Sequence, residues 1–156
     1  MGIIEKASTE QDNDLLTLTN KSKATVTVDD QYSVVSAKNR TKAIYIVGNS
    51  SGNSIKGGSG NDTLVGGEGD DTLIGGKGKN LFIYNDGDDV ITDYVVGTDK
   101  IKINDSIIDS KIDENDIILN FDGGGSLTVT NGQNTGATYV VEGQNFVIND
   151  GEWQEA

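Results

Sequence analysis

Apolar residues in this chain fall in short alternating runs. Between residues 15 and 47 the runs are LLTLTN, ATVTVDD, YSVVSA and AIYIVGN, with apolar side chains spaced two apart. Such spacing puts one set of side chains on one face of an extended backbone, so these segments are predicted as short strands. From residue 48 the apolar positions come at intervals of nine, in SIK, TLV, TLI, LFI and VIT. Alternation returns in DIILNF and SLTVTN, which flank a GGG turn at 123–125, and in TYVVE and NFVIND, which flank a GQ turn. These pairs are expected to form antiparallel hairpins. The pattern predicts an all-β chain.

The interval of nine is a sequence repeat. GGSGNDTLV (57–65), GGEGDDTLI (66–74) and GGKGKNLFI (75–83) share Gly at the first, second and fourth places, Asp or Asn at the sixth and an apolar residue at the eighth. GNSSGNSIK (48–56) and YNDGDDVIT (84–92) keep the frame in weaker form, with Asn53 and Asp89 at the sixth place and Ile55 and Ile91 at the eighth. Five nonads thus run unbroken. Counting back in the same frame puts Ile46, Ala37 and Val28 at eighth places and Ile44, Val35 and Val26 at sixth places, all apolar. The strands of residues 15–47 either extend the repeat array or form a meander packed on its first coil.

Each place has a physical task. Gly allows tight turns whose carbonyls converge on one point. One carboxylate per turn adds charge, and 6 to 8 oxygens at about 2.3 to 2.6 Å are what calcium requires. Ile55, Leu64, Leu73, Phe82 and Ile91 supply one inward apolar residue per strand, a stack that no single nonad buries alone. A calcium-free Gly-rich linker would not hold an acid or amide at a fixed sixth place.

Composition narrows the chemistry. The chain has 156 residues, enough for one domain, with 25 acidic and 12 basic residues, a net charge of −13, 21 Gly, and no Pro, Cys or His. A surface so acidic does not bind nucleic acid or an anionic membrane by neutralising phosphates. Without Cys and His there are no thiol nucleophiles, Ser-His-Asp triads, disulfides or zinc sites. Oxygen ligands abound, as calcium prefers. Residues 1–48 carry six acids and six bases, so the whole negative charge lies in residues 49–156. No apolar run approaches a membrane span, and the opening MGIIEKASTE has no signal-peptide core. Paired carboxylates could hydrolyse a glycosidic bond, but here they follow the nonad, so no active site is expected. No calcium helix-loop-helix pattern is present.

The nonads resemble the repeats-in-toxin (RTX) calcium-binding proteins, with their G-G-x-G-x-D-x-U-x repeat. The resemblance implies a calcium-binding parallel β-roll with flanking capping strands and hairpins. In such a roll the first six residues of a nonad turn, the last three form a strand, and two nonads complete a coil. It implies Ca2+ between stacked turns, held by sixth-place side chains and turn carbonyls. The implied metal residues are Asn53; Gly57, Gly58, Ser59, Gly60 and Asp62; Gly66, Gly67, Glu68, Gly69 and Asp71; Gly75, Gly76, Gly78 and Asn80; and Asp86 and Asp89. Alternate nonads facing one edge give two rows, Asn53–Asp71–Asp89 and Asp62–Asn80, with Asp71 shared by two ions. NDGDDVITDYVVGTDKIKI (85–103) resembles the segment that closes such repeats, through Asp89, Ile91, Asp93, Tyr94, Gly97, Asp99 and Ile101. Asp93 and Asp99 then either cap the last ion or are surface carboxylates.

The expected division is 1–47, metal-free strands; 48–92, the roll; and 93–156, capping strands with a secretion signal. The family further implies a secreted or cell-surface location, partnership with type I secretion machinery and an effector domain upstream in a larger protein. The competing expectation is a carbohydrate- or ice-binding module, suggested by Thr17-Leu18-Thr19, Thr25-Val26-Thr27 and Thr128-Val129-Thr130.

Overall fold

A computed structural model describes residues 14–130 continuously and, beyond them, the backbone of strands at 138–141, 144–149 and 152–155. The opening residues 1–13 and the GQ turn at Gly143 lie outside the described residues. Ten short strands come first: β1 (Leu15–Thr17), β2 (Thr25–Thr27), β3 (Val34–Ser36), β4 (Tyr45–Val47), β5 (Ser54–Lys56), β6 (Thr63–Val65), β7 (Thr72–Ile74), β8 (Leu81–Tyr84), β9 (Asp88–Ile91) and β10 (Lys100–Ile103). Six follow: β11 (Ile107–Asp113), β12 (Asp116–Phe121), β13 (Ser126–Val129), β14 (Thr138–Val141), β15 (Gln144–Asn149) and β16 (Glu152–Glu155). No helix occurs among the described residues.

Successive strands of the first ten alternate between two sheets. One sheet runs β1-β3-β5-β7-β9-β13-β12-β11 and the other β16-β15-β14-β10-β8-β6-β4-β2. Two strands therefore complete a coil, and each strand pairs in parallel with the one two along. Within the repeats the register advances 18 residues per coil, with Ile55 opposite Leu73 and Leu64 opposite Phe82. The chain is an all-β parallel roll. Its interior is a double stack, Val35, Ile55, Leu73 and Ile91 from one sheet and Ile46, Leu64, Phe82 and Ile101 from the other, each at most 1% exposed. Each such side chain contributes about 1.5–3 kcal/mol by burial, and three-residue strands have little else to hold them together.

The N-terminal strands continue the roll by parallel pairing, but out of the nine-residue frame. Val26 lies opposite Ile46 and Val35 opposite Ile55, so both occupy eighth places and not the expected sixth. Ala37 and Val28 take first places, donating their N–H to Lys56 and Val47 as Gly57 donates to Ile74. Ile44 and Ile46 keep their expected places. The frame slips because the turns at 18–24 and 37–44 are longer by one and two residues, as the strand register requires. In these coils apolar side chains fill the interior that Gly and a carboxylate share later in the roll.

Beyond the repeats the hairpins add rungs to both sheets. Strand β13 pairs in parallel with β9, Leu127 opposite Asp89 and Val129 opposite Ile91. DGGGSLTVT (122–130) thus stacks as a further nonad with Leu at its sixth place. Likewise β14 pairs in parallel with β10, while β11–β12, β12–β13, β14–β15 and β15–β16 are antiparallel. Tyr84 and Phe121 stack at 4.1 Å where the roll meets the hairpin β12–β13.

Candidate metal site

The sixth-place side chains form two ladders along the edges of the roll. On the first edge, Asp71 Oδ1 accepts the N–H of Asn53 (2.7 Å) and Asp89 Oδ1 that of Asp71 (2.9 Å). On the second, Asp62 Oδ1 accepts from Ile44 (3.1 Å), Asn80 Oδ1 from Asp62 (3.0 Å) and Asp99 Oδ1 from Asn80 (2.8 Å). Each side chain reaches back to the coil before it. Asp99 stands one residue late in the count, yet it takes the next sixth place of the second ladder.

The remaining polar atoms separate the edges. Asp62 Oδ2 accepts from Gly58 N–H (2.7 Å) and Asp99 Oδ2 from Val95 N–H (2.9 Å), so these carboxylates are satisfied within the chain. Asp93 caps Gly75 and Gly76 N–H with its two oxygens (2.7 and 2.8 Å). Asn53 is also committed, its Oδ1 accepting from Asn49 N–H (2.9 Å) and its Nδ2 donating to Tyr32 O (3.3 Å). By contrast Asp71 Oδ2 and Asp89 Oδ2 are buried and have no donor, and Asn80 Nδ2 has no acceptor. Both Asp71 and Asp89 are 1% exposed.

An unpartnered buried carboxylate oxygen is costly. Burial pushes Asp71 up to about 6, against the opposing hydrogen bond from Asn53 and with help from Asp70. Burial pushes Asp89 to about 8; the Asp71 N–H opposes this, while the charges of Asp71, Asp70 and Asp86 add to it. Asp99 is raised as well, by burial first, although two N–H bonds oppose the shift. The free oxygens of the first edge are thus ready-made ligands for a hard cation.

Among the described residues no three acidic side chains converge on one point. A cation here would be held by the paired carboxylates of Asp71 and Asp89, with carbonyl oxygens of turns 66–71 and 84–89 available to complete its shell. The glycines fit that arrangement. A Cβ on Gly66 would fall 2.1 Å from Asp71 Oδ2, and Gly69 has φ +88°, which L side chains rarely adopt. An open groove of about 440 Å³ runs along this edge across three successive turns, lined by Gly48, Asn49, Ser50, Gly67, Glu68, Asn85 and Asp86.

Three other expected ligands lie at the surface of their turns. Glu68, Ser59 and Asp86 are exposed; Asp86 Oδ1 accepts from Gly87 N–H (2.8 Å), and Ser59 N–H donates to Arg40 O (2.8 Å). On each edge a fifth-place side chain makes a bond between coils that sequence reasoning missed, Asn61 Oδ1 accepting from Lys79 N–H (2.9 Å) on the second edge and Asp70 Oδ1 from Asp88 N–H (3.0 Å) on the first. Asp and Asn at the fifth places 61, 70 and 88 were the available signal. The three Thr triplets involve β1 and β13, on distant rungs of one sheet, and β2 in the other, so none stacks on another.

A family model described as RTX calcium-binding nonapeptide repeat (four copies) matches residues 47–82 and 56–91. No curated protein matches the chain. Matched residues, parallel coils, turn glycines and unpartnered carboxylate oxygens coincide on one stretch. Residues 47–91 are an array of RTX hemolysin-type calcium-binding nonapeptide repeats, and the ion for which such repeats are built is calcium.

Proposed function

We propose that the chain is a non-catalytic calcium-folded module of a larger secreted or surface protein. The observation that carries this reading is the pair of buried carboxylate oxygens without donors, Asp71 Oδ2 and Asp89 Oδ2, inside the repeat array. Residues 57–93 hold eight acids and two bases. Without cations their repulsion and the backbone entropy of the glycines oppose the roll. Calcium neutralises the acids and ties turns together, so its binding free energy becomes folding free energy. Low calcium inside the cell then leaves the repeats open for type I export, and the higher level outside folds them. In this reading residues 1–47 are metal-free, 48–92 are the calcium roll, and 93–156 cap it and carry the export signal. The effector lies elsewhere in the parent protein.

The test is a calcium titration of the whole chain followed by circular dichroism, with magnesium as control. Strand signal should rise cooperatively with calcium and not with equal magnesium. A repeat region fully folded in chelator, or an equal response to magnesium, would defeat the proposal.

A further inference from the structure

The two long turns that break the nine-residue frame share one side chain. Arg40 is 2% exposed, and its partners are all carbonyl oxygens. Its Nε donates to Lys42 O (2.9 Å), Nη2 to Ala43 O (3.2 Å), and Nη1 to Ser22 O (3.0 Å) and to Thr19 O. The four carbonyls come from two stacked turns of the second edge, 18–24 and 37–44. Asn20 ties the same turns, its Oδ1 accepting the N–H of Thr41 (2.9 Å) and of Lys42 (3.2 Å). The Arg40 carbonyl in turn accepts the Ser59 N–H, joining this turn to the first nonad of that edge. A guanidinium stays charged at any pH a protein tolerates and offers five donors in a planar fork. It therefore supplies what a bound cation supplies, positive charge against converging carbonyl dipoles, without an ion being taken up.

We infer that this carbonyl cage is a cation site filled by the chain's own guanidinium. Arg40 ties the first coils of the second edge as calcium ties the turns of Asp71 and Asp89, a comparison that rests on the calcium reading above. The extra residues are what such a ligand needs. A guanidinium is broad and arrives on a side chain, so one turn must lengthen to deliver it and the other to close over it. On the first edge the same coils use neutral donors, Asn49 Nδ2 bonding to Asp29 O (3.0 Å) and Tyr32 O (2.9 Å). With the cage emptied, it should accept a free guanidinium ion of matching shape.

The experiment uses the full chain at saturating calcium and reads amide exchange at Ser22, Thr41 and Ser59. Arg40→Met keeps much of the bulk and should lose about tenfold or more in protection. Arg40→Lys keeps the charge and should fall between Met and wild type. Arg40→Ala should regain protection with millimolar methylguanidinium and not with methylammonium. Protection in Arg40→Met equal to that in Arg40→Lys would reduce Arg40 to packing and overturn the inference. So would Arg40→Ala that methylguanidinium does not restore. If Arg40→Ala fails to fold, the Met and Lys pair decides alone. These readouts are local and taken at fixed calcium, so a failed calcium titration and a failed Arg40 test are separate results.

Discussion

Asp71 and Asp62 occupy the same place of the nonad and differ in what surrounds them. Both oxygens of Asp62 are taken by backbone N–H groups, whereas Asp71 and Asp89 each keep one free. Asp71→Ala should therefore raise the calcium midpoint by about tenfold, roughly 1.4 kcal/mol, and Asp62→Ala by less. Equal shifts in parallel titrations would refute the ranking. The same carboxyls fix a pH dependence. A carboxyl raised on folding from 3.8 to about 6 (Asp71) or about 8 (Asp89) favours the fold while protonated. That contribution is complete below the unfolded value and lost as pH rises through the folded ones. In chelator the residual strand signal should thus be greater near about pH 5 than near about pH 8, and Asp89→Asn should remove most of the difference. With calcium bound the trend reverses, because protons compete with the ion for the same oxygens.

At the scale of the element, a three-residue strand with one buried residue has little stability of its own, so the turns set the geometry. Gly69 has φ +88°, and a Cβ there would lie 2.8 Å from the Gly52 nitrogen on the preceding coil of the same edge. Gly69→Ala should cost about 1–2 kcal/mol from the left-handed backbone alone, besides the displaced turn. A thermal midpoint unchanged in saturating calcium would contradict this. The coils before the repeats take the opposite course, with Val28 and Ala37 at first places and Ile44 at a sixth place. Apolar side chains cannot coordinate calcium. Crystals grown in calcium should carry no metal peak beside Val26, Val35 or Ile44.

At the scale of the molecule, both sheets run on past the repeats. Strands β13 and β14 cover the edges of β9 and β10, which would otherwise offer unpaired backbone groups to other chains. Removing everything after Asp105 deletes both covers together with the segment proposed for export. Type I secretion of a fused reporter should then be abolished, and undiminished secretion would count against an export role for this region.

The sequence by itself determined the roll. Five nonads with Gly, an acid or amide and an apolar residue at fixed places specify strand, turn and stacking direction, and they do so locally. The order of the two ladders followed from the same count. What only the tertiary structure decided lies where that count breaks. Val35 and Val26 fall opposite Ile55 and Ile46 because two turns grew longer, and alternation alone does not reveal a turn's length. Strand β11, most of it exposed, has no buried face to write a pattern, and the Gly-rich turn at 123–125 stacks on a nonad far upstream through pairing of β13 with β9. Which carboxylates keep a free oxygen depends on backbone donors from neighbouring coils. So does the place of Arg40, whose carbonyl partners span residues 19–43 and meet only when the coils stack.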